Sequence, residues 1–227
     1  MSSLTEMSVA VLGLGIIGSR ARARLAEAGW RVACWNRTPK GLPGEAATPE
    51  AAIQDAAIIS IYLKDVPAVR DTVGRMESFL SPGQIVLNHA TLDLETTLWL
   101  EGVCVARGCR FLDTPFTGSK LASGNGQLVY YTGGDVELAK ELEPFLRVTS
   151  KSQLHTGGVG SATVTKLATN LISACTVQAL AEALAIATHH GVSPEDLIEA
   201  VSLNASASVL AGMKLPTMAV GNFATHF

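Results

Sequence analysis

A chain of 227 residues with 48% hydrophobic and 16% charged side chains can bury a large core, which excludes intrinsic disorder. Its net charge of −3 and the lack of like-charge blocks give no sign of a nucleic-acid partner, because phosphate binding needs a cationic face. The four cysteines, Cys34, Cys104, Cys109 and Cys175, show no C-x-x-C spacing and read as reduced thiols, small core residues of a cytoplasmic protein.

The first segment, Met1 to Met7, has neither an apolar signal core nor an Arg-rich transit pattern. Short apolar, β-branched runs then recur at Val9–Leu12, Val32–Trp35, Ala57–Tyr62, Ile85–Leu87 and Phe111–Leu112. Continuous runs of this kind suit strands covered on both faces, as in a parallel sheet. Helix-start signals lie between them: Thr48-Pro49-Glu50, Asp65 before Val66-Pro67, and Asp93 opening a helix towards Ala106. The succession predicts right-handed βαβ units and an α/β fold with a Rossmann-type, doubly wound, mostly parallel sheet.

Further on, Leu128 to Thr132 reads as a strand, Gly133-Gly134-Asp135 as a turn, Val136 to Phe145 as one amphipathic helix, and Gln153 to His155 as a last short strand. After Gly157, Gly158 and Gly160 no proline interrupts the chain before Gly191, which predicts a helix of roughly 30 residues, on the order of 45 Å long. Its apolar stretch, Leu171 to Ala187, is broken by Gln178 and Glu182 and reads as a buried helix of a soluble protein rather than a bilayer span. A helix this long links two domains or packs on a second subunit. Ser193-Pro194-Glu195 starts another helix, beyond which no cap or completed element is evident before Phe227. The expected organisation is a nucleotide-binding domain over residues 1–160 and an all-α domain over residues 161–227, entered through the long helix. That second domain is expected to serve substrate binding and homodimer formation; the residues after Gly191 are too few to bury a core of their own, so it is expected to be incomplete or to need a partner.

Gly13-Leu14-Gly15-Ile16-Ile17-Gly18 follows the first strand and opens a helix, the context in which G-x-G-x-x-G cradles a dinucleotide. Gly13 allows the tight turn, Gly15 lets the pyrophosphate approach the backbone, Gly18 lets helix and strand pack closely, and the helix N-terminus faces the phosphates. At the end of the second strand an acidic residue would bind the ribose of NAD. Asn36-Arg37-Thr38 stands there instead, with no carboxylate to repel a 2′-phosphate and a guanidinium able to clamp one, so the expected cofactor is NADP.

Three segments carry a family resemblance: Asn88-His89-Ala90-Thr91, Asp113-Thr114-Pro115-Phe116-Thr117-Gly118-Ser119-Lys120, and Gly157 through Lys166 to Asn170. With the glycine loop they resemble the β-hydroxyacid dehydrogenases, a family of 3-hydroxyisobutyrate dehydrogenases, tartronate semialdehyde reductases and glyoxylate/succinic semialdehyde reductases. The family pattern D-A-P-V-S-G-G is altered by Thr117 for serine and Ser119 for the second glycine. Gly118-Ser119-Lys120 with Gly126-Gln127-Leu128 most resembles the glyoxylate/succinic semialdehyde reductase branch. The resemblance implies that Thr91 contacts cofactor or substrate near the nicotinamide and that Leu63 and Lys64 line the cofactor cleft. The family's later Lys-Asp pair has no match after Gly191.

The residue chemistry agrees. Lys166 and Asn170 are four apart on a helix and share a face. A lysine ammonium can protonate a carbonyl oxygen as hydride arrives at its carbon and stabilise the developing alkoxide, while Asn170 orients the oxygen or the lysine. Thr117, Gly118 and Ser119 offer hydroxyls and backbone N–H groups to the carboxylate of a small-molecule substrate. His89 reads as a structural histidine, and His189 and His190 fit the dipole at a helix end. No cluster has metal-ligand spacing, so no metal is expected. Two rival readings share the cofactor: an imine reductase, whose relatives usually carry another residue where Lys166 stands, and a non-catalytic NADP-binding protein.

Overall fold

A computed structural model describes residues 8–223, and the chain divides into two compact units that meet in sequence between Lys166 and Leu167. The first unit holds β1 (Ser8–Leu12), α1 (Gly18–Glu27), β2 (Arg31–Trp35), α2 (Pro49–Ile53), β3 (Ile58–Ile61), α3 (Val66–Met76), β4 (Ile85–Asn88), α4 (Leu94–Ala106), β5 (Arg110–Asp113), β6 (Phe116–Thr117), α5 (Lys120–Gly124), β7 (Leu128–Gly134), α6 (Val136–Glu141), α7 (Glu143–Arg147) and β8 (Ser150–Gly157). One eight-stranded sheet runs β2-β1-β3-β4-β5-β7-β6, with β8 on β7. The first five strands are parallel; β7 then pairs antiparallel with both β5 and β6 and parallel with β8.

Alternate residues of the strands feed two cores. Ala10, Leu12, Ile59, Ile61 and Val86 pack with Ile53, Val69, Val73, Met76, Leu100 and Cys104 from α2, α3 and α4. Val9, Val11, Ile58, Ile85 and Leu87 pack with Leu25, Leu138, Phe145 and Leu146 from α1, α6 and α7. Both faces are covered, which is why the strand sequences are apolar runs rather than alternations.

Several expectations need correction. The single helix over Val136–Phe145 is two, α6 and α7, meeting at Leu142. Pro144 has no N–H and its ring crowds the carbonyl four residues back, so it is favoured in the first turn of a helix, where it stands in α7, and disfavoured inside one. β8 begins at Ser150, earlier than expected, because its exposed, polar positions carry no apolar pattern. β6 and α5 went unforeseen: a two-residue strand exists only through its pairing, Phe116 with Tyr130 and Thr117 with Val129.

α8 (Ser161–His189) runs from the first unit into the second, which adds α9 (Pro194–Ser202) and α10 (Val209–Ala219). The second unit's small core joins Leu180 and Leu184 of α8 to Ile198, Val201, Ala211 and Leu215. α10 corrects the expectation that no element is completed after α9: Ser208 caps it by accepting from Ala211 N–H at 3.0 Å, although Pro216 lies inside it. The buried long helix is also corrected. α8 is long and apolar enough to cross a bilayer by length and composition, with mean hydropathy 1.6, yet Leu171, Ile172 and Ile186 are exposed. All four cysteines are free; Cys34, Cys104 and Cys109 are core residues, but Cys175 is exposed on α8, because a lone helix offers only one face to the small cluster beside it.

Candidate functional site

The sheet register gathers the predicted cofactor segments. Leu12 sits opposite Trp35 and Ile61, Ile61 opposite Asn88, and Asn88 opposite Asp113. The residues that follow, Gly13–Gly18, Asn36–Thr38, Tyr62–Lys64, His89–Thr91 and Thr114, therefore all leave from one carboxyl edge. In the order β2-β1-β3 the strand order reverses between β1 and β3, and this switch point is the crevice where open α/β sheets bind ligands.

Each loop glycine meets a different surrounding. Gly13 has φ +97° and a Cβ there would lie 2.5 Å from Tyr62 O; at Gly18 it would lie 2.0 Å from Gly13 O. At Gly15 a Cβ would meet nothing within 4 Å, so this exposed glycine borders open space that a phosphate group can enter. α1 begins at Gly18, and Ile17 before it supplies no side-chain cap, whereas Thr48, Asp65, Asp93, Asp135, Ser193 and Ser208 cap other helices. Ser19 N–H and Arg20 N–H donate to Gly15 O and Ile17 O within the turn, and the partial positive charge of this helix N-terminus suits an anionic ligand. These features fit a dinucleotide pyrophosphate.

The other proposed cofactor residues divide into fasteners and exposed groups. Asn36 Oδ1 accepts from Leu14 N–H at 2.9 Å, and its amide donates to Thr38 O at 2.7 Å. Asn36 thus stitches the glycine loop to the end of β2, and Leu14, itself buried, directs its N–H there rather than towards a phosphate. Ile16 and Ile17 are half-buried; Arg37, Thr38, Lys64 and Thr91 are exposed. Leu63 comes within 3.2 Å of a Cβ built on Gly13, which places its side chain against the turn.

Behind this edge lies a buried polar floor. His89 Nδ1 is 3.0 Å from Thr114 O and its Nε2 is 3.4 Å from Ser60 Oγ, while its ring stacks on Tyr62 at 4.2 Å. Desolvation lowers its pKa to about 4, so it is neutral near pH 7 and takes the structural part expected of it. Tyr62 Oη is 2.7 Å from Tyr130 Oη, itself 2.9 Å from Thr149 Oγ1.

The proposed substrate segment crosses from β6 into α5. Thr117 and Ser119 are half-buried and Gly118 is exposed. Ser119 Oγ accepts from Ala122 N–H at 3.3 Å and caps α5, which leaves its O–H as the group it can offer a ligand.

One residue of this segment was missed as a site residue. Asp113, fully buried at the end of β5, accepts at Oδ2 from both Thr163 N–H and Thr163 Oγ1–H, each at 2.8 Å. Burial pushes its carboxyl up, against the pull of the Thr163 donors. The sequence marked it only as an acid closing an apolar strand and as the first residue of the Asp113–Lys120 segment, without a partner. This contact fixes the first turn of α8 at the same carboxyl edge as the cofactor segments. Lys166 follows one turn later, half-buried, and desolvation pulls its ammonium below the ordinary lysine value. Asn170, a turn further along α8, is exposed. Among the described residues no group of three or more His, Cys, Asp or Glu side chains could hold a metal.

A doubly wound sheet with an uncapped glycine loop at its switch point defines a dinucleotide-binding protein of the Rossmann class. Residues 8–160 match the NAD binding domain of 6-phosphogluconate dehydrogenase, and residues 160–227 match the NAD-binding family of NADP-dependent 3-hydroxyisobutyrate dehydrogenase. The chain belongs to the β-hydroxyacid dehydrogenase family. It is 29% identical to glyoxylate/succinic semialdehyde reductase 2, chloroplastic, of Arabidopsis thaliana over 99% of this chain and 65% of that protein. It is equally 29% identical to the mouse cytokine-like nuclear factor N-PAC, over 98% of this chain and 42% of that protein. The chain thus spans less than two thirds of either relative. The fold is that of 3-hydroxyisobutyrate dehydrogenase from Mycobacterium tuberculosis, with TM-score 0.85 at 21% identity, covering 93% of this chain and 75% of that one.

Proposed function

We propose that the protein is an NADPH-dependent reductase that interconverts a small carbonyl acid and its hydroxy acid, of the glyoxylate, succinic semialdehyde, tartronate semialdehyde or 3-hydroxyisobutyrate type. The observation that carries this reading is the half-buried Lys166, one turn into a helix anchored by Asp113 at the sheet edge that bears the dinucleotide loop. When bound, the cofactor supplies a hydride to the carbonyl carbon. Lys166 supplies the proton to the carbonyl oxygen, and its charge stabilises the alkoxide before transfer. Partial desolvation makes the ammonium a stronger acid than an exposed lysine, which favours that transfer. Asn170 orients the oxygen or the amine, and Thr117, Gly118 and the Ser119 hydroxyl take the substrate carboxylate. The Arabidopsis relative supports the substrate class, and Arg37, exposed beyond β2 with no acid beside it in sequence, supports NADP.

The same reading makes the protein a cytoplasmic homodimer without a metal, its exposed α8 surface covered by a second copy; four free thiols and the exposed Leu171, Ile172 and Ile186 support it. A second reading, a dinucleotide-binding protein without turnover, is favoured by the equal identity to N-PAC. Oxidation of NADPH with a panel of small aldehydes, keto acids and imines separates them. The expected result is turnover of glyoxylate or succinic semialdehyde, and at least a hundredfold loss of it in Lys166→Ala, on the order of a general-acid contribution, with NADPH affinity nearly unchanged. Full activity in Lys166→Ala would remove the lysine from the chemistry; NADPH binding without turnover of any carbonyl favours the second reading.

A further inference from the structure

Beyond β2 the chain swings out over residues 36–43 and returns along the sheet edge. Cys34 N–H donates to Gly44 O and Ala46 N–H donates to Cys34 O, both at 2.8 Å, and Cys34 and Glu45 form a parallel bridge. The Glu45 side chain turns back into the loop so formed. Its Oε1 accepts from Lys40 N–H at 2.8 Å, and its Oε2 accepts from Lys40 N–H at 2.9 Å and Leu42 N–H at 3.0 Å. The loop closes further through Glu45 N–H to Leu42 O at 3.0 Å, and Arg22 of α1 donates to Pro43 O.

This arrangement bears on the choice of cofactor. Glu45 is the first carboxylate after β2, and in an NAD enzyme an acid in this neighbourhood would accept from the ribose 2′-hydroxyl. Here both carboxylate oxygens are already taken by loop amides, which hold the carboxyl below its usual range and spend its charge on oriented N–H dipoles. Arg37, Thr38 and Lys40 stand in the same loop, all exposed.

We propose that Glu45 is a positioning residue for cofactor selectivity: it braces the loop that brings Arg37, Thr38 and Lys40 to a 2′-phosphate, and it is not a ribose ligand. This rests on the NADP reading above. The brace acts on the loop alone, so its loss costs the 2′-phosphate contacts and leaves the adenosine and pyrophosphate contacts in place. If Glu45 were the ribose ligand, its removal would act with the opposite sign, weakening NADH and relieving repulsion of NADPH.

The test is fluorescence titration of the intact protein and its Arg37→Ala, Glu45→Ala and Glu45→Gln variants with NADPH and NADH. The expected result is that the parent prefers NADPH and Arg37→Ala loses that preference. Glu45→Ala should weaken NADPH about tenfold, equivalent to about 1.4 kcal/mol, with NADH within about twofold. Glu45→Gln, which keeps one amide-accepting oxygen, should fall between; retained NADH binding reports an intact fold in each variant. An unaltered preference in both Glu45 variants, or a loss falling on NADH, overturns the brace while Arg37→Ala still tests the cofactor reading. A parent protein that binds the two dinucleotides alike overturns both.

Discussion

At Gly18 there is no room for a methyl group: a Cβ would sit 2.0 Å from the Gly13 carbonyl oxygen and 2.9 Å from Tyr62 Cβ. At Gly15, three residues earlier, a Cβ would meet nothing within 4 Å. The two glycines therefore answer to different demands, one from the protein interior and one from a ligand. Gly18→Ala should destabilise the fold by about 1–3 kcal/mol, the usual cost of overpacking, seen as a lowered unfolding midpoint in urea. Gly15→Ala should leave that midpoint in place and weaken dinucleotide binding in titration, because its methyl projects where a phosphate would lie. Equal effects of the two on stability would remove the distinction. Both glycines were legible in the sequence from their spacing after a strand. Asn36 was legible only as a residue near the cofactor; its role of holding Leu14 N–H depends on how the two loops approach.

Among the elements, α8 shows most clearly how local and distant determinants divide. Its 29-residue span follows from the lack of breakers between Gly160 and Gly191. Its fastening does not. Thr163 reaches Asp113 across 50 residues of sequence, and no local pattern announces such a partner. Asp113→Ala would leave the buried Thr163 N–H and hydroxyl without this acceptor, at a cost of about 1–3 kcal/mol. Asp113→Asn keeps an acceptor at the same place and should lose less, in urea unfolding monitored by circular dichroism. If both variants unfold alike, the contact does not hold the helix. The division of α6 from α7 is the reverse case: Pro144 was visible in the sequence, and it stands in the first turn of α7, where its missing N–H costs least.

On the scale of the whole molecule, His89 ties the central strands together, joining the end of β4 to Thr114 after β5 and to Ser60 of β3. Its pKa in the folded state is about 4, below an unfolded value near 6.5. The unfolded chain therefore binds this proton more tightly. Stability is complete above about pH 6.5 and declines as the pH falls towards 4, by about 3 kcal/mol for a shift of this size. Urea unfolding of the protein and of His89→Gln between pH 7 and 4 checks this; the variant should show a flatter decline. A parallel decline in both would assign the acid sensitivity to other groups.

The sequence by itself determined the alternation of strands and helices, the dinucleotide loop, the long helix and the residues on which the proposed chemistry rests. These follow from hydrophobic period, capping residues and glycine sterics, which act over a few neighbouring residues. Only the tertiary structure decided the antiparallel extension through β6 and β7, the anchoring of α8 by Asp113, the inward turn of Glu45 and the exposure of Cys175 and its neighbours on α8. The strand pairing and the Asp113 anchor join partners across long stretches of chain, and the Glu45 turn depends on the loop's conformation rather than on a repeating period, so none of these leaves a periodic trace in the sequence.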